Sequence, residues 1–134
     1  MKHLYSLLSN IQSGIVVRHK LVHVKRTKMN LEVLNLLYSE GFINGFSISE
    51  NKPHHICVFL KYVDDKPVLR KFRIISTSSK RVYVSYETIV KQLANNGLFV
   101  LSTNRYGLTL TDDYLRHSDI FIRTGGELLF QIIF

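Results

Sequence analysis

The sequence of 134 residues has few of the residues that build a covalent or metal-bound framework. It contains one cysteine, Cys57, two prolines and no tryptophan. A single cysteine excludes an intramolecular disulfide and a cysteine-based metal site, and it favours a reducing compartment. No apolar run approaches the roughly 20 residues needed to cross a bilayer. Met1 to Gly14 lacks the features of a secretory signal, so we expect a soluble chain that begins with mature protein and has no membrane partner.

Acidic residues are also scarce. The chain has 18 lysines and arginines against 10 acids, a net charge of +8 and a pI near 9.7. Residues 18–28 and 66–81 contain no acid, and they hold Arg18, Lys20, Lys25, Arg26, Lys28, Lys66, Arg70, Lys71, Arg73, Lys80 and Arg81. Clustered cations gain affinity for phosphates by releasing condensed counterions. The pattern favours nucleic acid as the partner, and the alternative is a pair of solvated basic faces.

The N-terminal half has the pattern of a small α+β lobe. Helical spacing of apolar residues predicts a helix over residues 3–13, ended by Gly14. A second helix is capped by Thr27 and ended by Gly41. A loop and strand lie between these helices, and two more strands follow at 42–48 and 55–63. We predict a helix-strand-helix-strand-strand lobe over residues 1–67.

The C-terminal half is predicted to be mostly β-strand. Basic and alternating stretches predict strands at 68–76 and 81–86, and a short helix follows over 87–96. Thr111-Asp112-Asp113 is typical of a helix start. Leu128 to Phe134 is almost wholly apolar, which predicts a strand buried on both faces or docked on a partner. The predicted fold class is therefore α+β, with a second lobe over residues 68–134 that is mixed and mostly β.

Residues with catalytic or ligating chemistry do not form a recognisable set. His19 and His23 have an i, i+4 spacing, but they lie in a β-branched, basic segment that would repel a cation. The paired acids at 64–65 and 112–113 fit a turn and a helix start. No nucleophile–base pair and no phosphate-binding glycine motif is present. We predict a protein that is not an enzyme and has no metal, cofactor or small-molecule substrate.

One stretch concentrates groups that suit nucleic acid. Leu98 to Leu101 are predicted to form a short buried strand, which leads into a turn formed by Ser102, Thr103, Asn104, Arg105, Tyr106 and Gly107. Hydroxyls, an amide, a guanidinium and an aromatic ring on a rigid turn suit phosphates, 2′-hydroxyls and base faces. The alternative is an ordinary hairpin with a charged tip.

A series of short motifs runs in order along nearly the whole chain: Lys28, Glu40-Gly41-Phe42-Ile43, Ser76, Arg81-Val82-Tyr83, Gly97 to Gly107, Thr111-Asp112 and Gly125-Gly126-Glu127. In their order and spacing these motifs resemble those of the small-subunit ribosomal protein S-eight family. The resemblance implies a two-lobe α+β protein of the small ribosomal subunit. Such a protein binds an irregular stem in the central domain of small-subunit rRNA, supports assembly, and has small-subunit proteins as neighbours.

The resemblance also implies which residues contact RNA. In the family a Ser-Thr-Ser-(Lys/Arg)-Gly loop grips the RNA, and Ser102, Thr103, Arg105 and Gly107 match it. Glu127 matches a glutamate that helps to order the binding surface, and Arg81 and Tyr83 match an Arg-x-Tyr motif. We predict hydrogen bonds to RNA from Ser102, Thr103 and Asn104 and a phosphate contact from Arg105. Tyr106 is predicted to stack on a base, and the alternative is a ring packed under its own loop. Arg26, Lys28, Lys80 and Arg81 are assigned to phosphates.

The chain departs from the family pattern in several places. Asn104 replaces a hydroxyl and Tyr106 is an added residue, so the loop is one residue longer. Ser78-Ser79 replaces Pro-Gly, Asn10 and Gln12 stand where bacterial members usually have arginines, and residues 117–123 look like an insertion. These differences, and a bias toward Asn, Lys, Ile, Tyr and Phe, predict an organelle-encoded member on mitochondrial ribosomes. A plastid or a bacterial cytoplasm is the alternative location.

Two other functions compete with rRNA binding. The first is a basic protein–protein interaction module that lacks specific RNA recognition and docks through Leu128 to Phe134. The second is a small nucleic-acid-processing enzyme. A steep, log-linear loss of RNA affinity with salt favours a nucleic-acid binder over an interaction module.

Overall fold

The computed structural model describes residues 2–89, 97–103, 107–110 and 125–134. The chain divides into two compact units, one of residues up to Lys71 together with Phe134 and the other from Phe72 to Ile133. The assignment of residues 1–67 and 68–134 to two lobes stays a prediction. In the described parts of the chain, no helix is long and apolar enough to cross a membrane.

The first unit packs two helices on one face of an antiparallel sheet. Its elements are α1 (Lys2–Val17), β1 (Leu21–Lys25), α2 (Lys28–Ser39), β2 (Ile43–Ile48) and β3 (His55–Leu60), and the strand order is β1-β3-β2. Alternate residues of the sheet, among them Val22, Val24, Ile56 and Val58, are buried with the apolar faces of both helices. The predicted α+β order of this half is confirmed.

Helix α1 runs past the predicted end. Gly14 is not a cap, because α1 continues to Val17 and Arg18 takes the left-handed conformation with φ of 61°. The Arg18 N–H donates to the Ile15 carbonyl and the His19 N–H to the Gly14 carbonyl, which is the hydrogen-bond pattern of a Schellman cap. Gly14 instead permits close packing, since a Cβ there would lie 2.5 Å from Cγ1 of Val22.

Helix α2 begins and ends where the sequence predicts. The Thr27 hydroxyl accepts a hydrogen bond from the Asn30 N–H at 3.1 Å. At the other end Gly41 has φ of +79°, and the N–H of Phe42 donates to the Leu37 carbonyl. Both caps are local in sequence, so the residue types alone were enough to place them.

A two-strand hairpin completes the first unit. Strands β4 (Tyr62–Val63) and β5 (Lys66–Pro67) are joined by Asp64 and Asp65, which both have positive φ, as a type I′ turn requires. The Tyr62 hydroxyl donates to the His19 carbonyl at 2.7 Å, and the Arg18 guanidinium donates to the Asp65 carbonyl at 2.7 Å. The hairpin therefore holds the connection between α1 and β1.

The second unit is built around one long strand. Its elements are β6 (Lys71–Ile74), β7 (Tyr83–Val84), α3 (Tyr86–Thr88), β8 (Leu98–Thr103), β9 (Gly107–Leu110) and β10 (Gly126–Ile133). Strand β10 pairs with β8 on one side and with β6 and β7 on the other, and β8 also pairs with β9. Leu128, Leu129, Phe130 and Ile132 are buried, so the apolar C-terminal segment is a strand covered on both faces.

Some boundaries differ from the sequence-based prediction. The strands predicted at 68–76 and 81–86 shorten to β6 and β7, while β8 extends through Ser102 and Thr103, which were predicted to be turn residues. The reason is that Ser102 pairs with both β9 and β10, and Thr103 pairs with Gly107 of β9. Most of the helix predicted over 87–96, the one predicted after Thr111 and the insertion at 117–123 lie outside the described residues.

Candidate nucleic-acid interface

Four strands of the second unit bring predicted site residues into one row. Tyr83 of β7 pairs with Glu127 of β10, Glu127 pairs with Ser102 of β8, and Ser102 pairs with Leu108 of β9. Directly paired residues of antiparallel strands point to the same face. Residues far apart in sequence therefore share one surface, which we call the Glu127 row: Tyr83, Glu127, Ser102 and Leu108.

Glu127 lies at the centre of this row and pairs with an arginine. A guanidinium nitrogen of Arg81, Nη1, lies 3.6 Å from Glu127 Oε2, and the side chains are 49% and 13% exposed. The second carboxylate oxygen, Oε1, is buried and has no hydrogen-bond partner among the described residues. Glu127 thus holds Arg81 beside the row through one of its two oxygens.

Two glycines allow the strands to approach closely next to Glu127. A Cβ on Gly126 would lie 2.7 Å from the Ser102 carbonyl oxygen and 2.9 Å from Cγ2 of Thr103, and one on Gly125 would overlap the Val84 carbonyl oxygen. Any side chain at these positions would push β10 away from its neighbours. The Gly-Gly pair therefore sets the spacing of the row.

Ser76 stabilises the backbone of the same region, and the sequence analysis did not assign it a role at the site. It is fully buried, its hydroxyl donates to the Leu128 carbonyl at 2.6 Å, and it accepts from the Val82 N–H at 3.0 Å. These bonds fix the backbone beside Arg81 and Glu127. Ser76 was among the residues that carry the family resemblance, but the sequence assigned it no contact, because its hydrogen-bond partners Leu128 and Val82 are distant in the chain or set by the fold.

Ser102 and Thr103 differ in the exposure of their side chains and in the hydrogen bonding of their hydroxyls. Thr103 is 6% exposed, and its hydroxyl donates to the Gly107 carbonyl at 3.3 Å inside the β8–β9 hairpin. Ser102 is half-buried and faces the same side as Glu127. Gly107 has φ of +66° with open space around it. Thr103 and Gly107 therefore shape the hairpin, and Ser102 presents its hydroxyl on the row.

The remaining predicted contacts fall into three groups. Asn104, Arg105 and Tyr106 lie outside the described residues. Lys80 is exposed in the turn before β7, where the Thr77 hydroxyl accepts from its N–H at 3.0 Å. Arg26 and Lys28 belong to the first unit, are exposed at the start of α2, and flank a hollow of about 500 Å³. Their phosphate-binding roles stay predictions.

The row, together with Arg81 beside it, presents groups that suit binding. Tyr83 is 69% exposed and offers a ring face, Arg81 offers donors for phosphate, and Ser102 offers a hydroxyl. In the part of the chain that the structure describes, no group of three or more His, Cys, Asp or Glu side chains is placed to hold a metal ion. An aromatic face, a guanidinium and a hydroxyl together match what RNA offers outside a regular helix.

Comparison with known proteins matches nearly the whole chain to a protein family. Residues 3–133 fit the family model described as Ribosomal protein S8. "Small ribosomal subunit protein uS8m" of Acanthamoeba castellanii is 36% identical over 98% of this chain and 99% of its own length. "Small ribosomal subunit protein uS8" of Geotalea uraniireducens is 35% identical over 92% and 90%. "Small ribosomal subunit protein uS8c" of Phaeodactylum tricornutum is 33% identical over 94% and 93%. The chain is therefore a member of the ribosomal protein S8 family.

Proposed function

We propose that this protein is a structural, non-enzymatic constituent of the small ribosomal subunit that binds an irregular stem of small-subunit rRNA through its second unit. The observation that carries the proposal is the Glu127 row, where residues from four strands form one partly open surface. Family membership over residues 3–133 supports the ribosomal role. The net charge of +8 supports a polyanionic partner.

Specificity in this proposal comes from the shape of the RNA. A regular A-form stem hides its base edges in a deep, narrow groove, whereas an irregular stem turns bases and 2′-hydroxyls outward. Ser102 donates to or accepts from a sugar or base edge, and Arg81 and Lys80 bind phosphates. Tyr83, with its ring exposed beside Glu127, offers a stacking face.

The test is binding to two stems of equal length, one from the central domain of small-subunit rRNA with its irregular base pairs and one fully paired. We expect the irregular stem to bind more tightly. Ser102→Ala should remove about 0.5–1.5 kcal/mol of that preference, the net contribution of one hydrogen bond. The matched control is Ser79→Ala, an exposed serine in the turn before β7. Equal binding of both stems, or equal loss in both variants, would contradict the proposal.

The alternative function, a protein–protein module, is weakened by one observation. The apolar strand β10 that was its candidate docking element is paired on both sides and largely buried. Titration of stem binding against salt still tests it directly. An RNA interface loses affinity log-linearly with salt, and a flat dependence would favour the module.

We propose the mitochondrial ribosome as the location. The similarity to uS8m of Acanthamoeba castellanii and the organelle-like composition support it, while the similarity to uS8 and uS8c proteins keeps bacterial and plastid ribosomes as alternatives. Cell fractionation checks it: an antibody against the chain should detect it in mitochondrial small subunits. Detection only in plastid or cytoplasmic ribosomes would contradict this location.

A further inference from the structure

We infer that the open face of the first unit's sheet is a second RNA contact that takes a short unpaired segment of single-stranded RNA. One face of this sheet is covered by α1 and α2, and the other is solvent-facing. Cross-strand pairs place Leu21 beside Phe59, His23 beside Cys57 and Lys25 beside His55 on that face. The inference concerns residues outside the Glu127 row.

A hollow of about 230 Å³ lies at one end of this face. Its described lining residues are His23, Ser49, Asn51, Lys52, His55 and Cys57. They supply hydroxyl, amide, imidazole and ammonium groups, and they include no carboxylate. Because a base edge needs both donors and acceptors and a phosphate needs a cation, this set suits one extruded nucleotide.

Hydrogen bonds within the turn between β2 and β3 order one wall of the hollow before any ligand binds. The Ser49 hydroxyl accepts from the Asn51 N–H at 3.3 Å, and the Ser49 carbonyl accepts from the Lys52 N–H at 3.2 Å. The His55 N–H donates to the Lys52 carbonyl at 3.2 Å. Preorganised polar groups lower the entropy cost of binding.

An aromatic ring lies further along the same face. Phe59 is 38% exposed, and its cross-strand neighbour Leu21 is 39% exposed. Residues two positions apart on a strand lie about 7 Å apart on one face, so Phe59 is placed to stack a base next to the one in the hollow. Base–aromatic stacking tolerates every base, which favours a segment recognised by being single-stranded.

The positive charge on and beside this face favours RNA over an apolar protein as its partner. Lys25 and Lys52 are exposed on or beside the face, together with His23 and His55. The nearby acid, Glu50, is exposed in the β2–β3 turn and does not line the hollow. A basic surface that also carries an exposed aromatic ring combines the two elements that bind single strands.

The test measures binding of a fluorescent ten-nucleotide oligouridylate to the full chain. All variants carry Ser102→Ala, so that the Glu127 row contributes equally and failure here is distinct from failure of the stem test. We expect Phe59→Ala to weaken binding about fivefold or more, the loss expected for one stacked base. Tyr38→Ala, an exposed aromatic on α2, is the matched control and should leave binding within about twofold.

A second variant and a competitor complete the test. Asn51→Ala changes only an exposed turn side chain, so it should weaken binding without unfolding the sheet. Unlabelled oligouridylate should displace the probe much better than a ten-residue glutamate peptide. Equal displacement by the peptide, or equal binding of the Phe59 and Tyr38 variants, would overturn the inference and leave a surface that attracts any polyanion.

Discussion

Glu127 is a mostly buried carboxylate at the centre of the proposed interface. Its carboxylate is mostly buried between strands β7 and β8, it pairs with a half-exposed arginine at 3.6 Å, and one oxygen has no partner among the described residues. A buried charge is costly unless it is compensated. Glu127 is therefore better explained by what it positions, namely Arg81 and the surface beside Ser102, than by stability.

This explanation predicts unequal effects from removing the two partners. Arg81→Gln leaves the Glu127 carboxylate buried without its cation, whereas Glu127→Gln removes the buried charge itself. We expect Arg81→Gln to lower the free energy of unfolding by about 1 kcal/mol more than Glu127→Gln does. The double variant should have a free energy of unfolding close to that of Glu127→Gln. Urea unfolding measures all four proteins. A larger loss for Glu127→Gln, or strictly additive losses, would show that the pair is an ordinary surface contact.

Among the secondary-structure elements, helix α1 packs closely against β1 because Gly14 has no side chain. Gly14→Ala improves helix propensity by about 1 kcal/mol, but the added methyl meets Val22 Cγ1, and overpacking costs about 1–3 kcal/mol. We expect a net loss of up to about 2 kcal/mol in the free energy of unfolding. In the Val22→Ala background the same change should be neutral or stabilising. Stabilisation by Gly14→Ala alone would contradict this packing.

The β4–β5 hairpin should give the first unit a specific response to alkaline pH. Burial raises the pKa of the Tyr62 phenol, and the nearby Arg18 guanidinium partly opposes that rise. A raised pKa in the folded state means that Tyr62 stabilises below its unfolded pKa of about 10, and that this contribution is lost as pH rises further.

Tyr62→Phe therefore has an effect that depends on pH. At pH 7 it should lower the free energy of unfolding by about 1 kcal/mol, since the hydrogen bond to His19 is lost. Above pH 10 the difference from the wild type should shrink. Unfolding curves from pH 7 to 11 check this, with the exposed Tyr38→Phe as the control. A difference that stays constant or widens would contradict it.

The sequence predicted local features better than distant pairings. Thr27 and Gly41 were placed correctly because a cap depends on a few adjacent residues. Gly14 was misinterpreted because a glycine that ends a helix and one that allows close packing look alike until the partner, Val22, is known. Ser102 and Thr103 were predicted to be turn residues, but pairing with β9, and for Ser102 also with β10, makes them strand residues. The Glu127 row could not be derived from spacing, since the register of four strands creates it.

At the scale of the whole molecule, cations lie on both units. Arg18, Lys20, Lys25, Arg26 and Lys28 are exposed in the first unit, and Arg73, Lys80 and Arg81 are exposed in the second. If both units contact RNA, more phosphates are neutralised than by one unit alone. We expect Lys25→Gln/Lys52→Gln to lower the salt dependence of rRNA binding by about one to two phosphate equivalents, since the slope scales with neutralised phosphates. An unchanged slope would show that Lys25 and Lys52 do not contact rRNA phosphates.

We expect the Glu127 row to lie against rRNA in the assembled small subunit. The most direct measurement is ultraviolet crosslinking of intact small ribosomal subunits that contain this chain, followed by mass spectrometry of its peptides. We predict rRNA crosslinks on the peptides that carry Tyr83 and residues 98–110. Their absence, with crosslinks confined to other parts of the chain, would contradict the account.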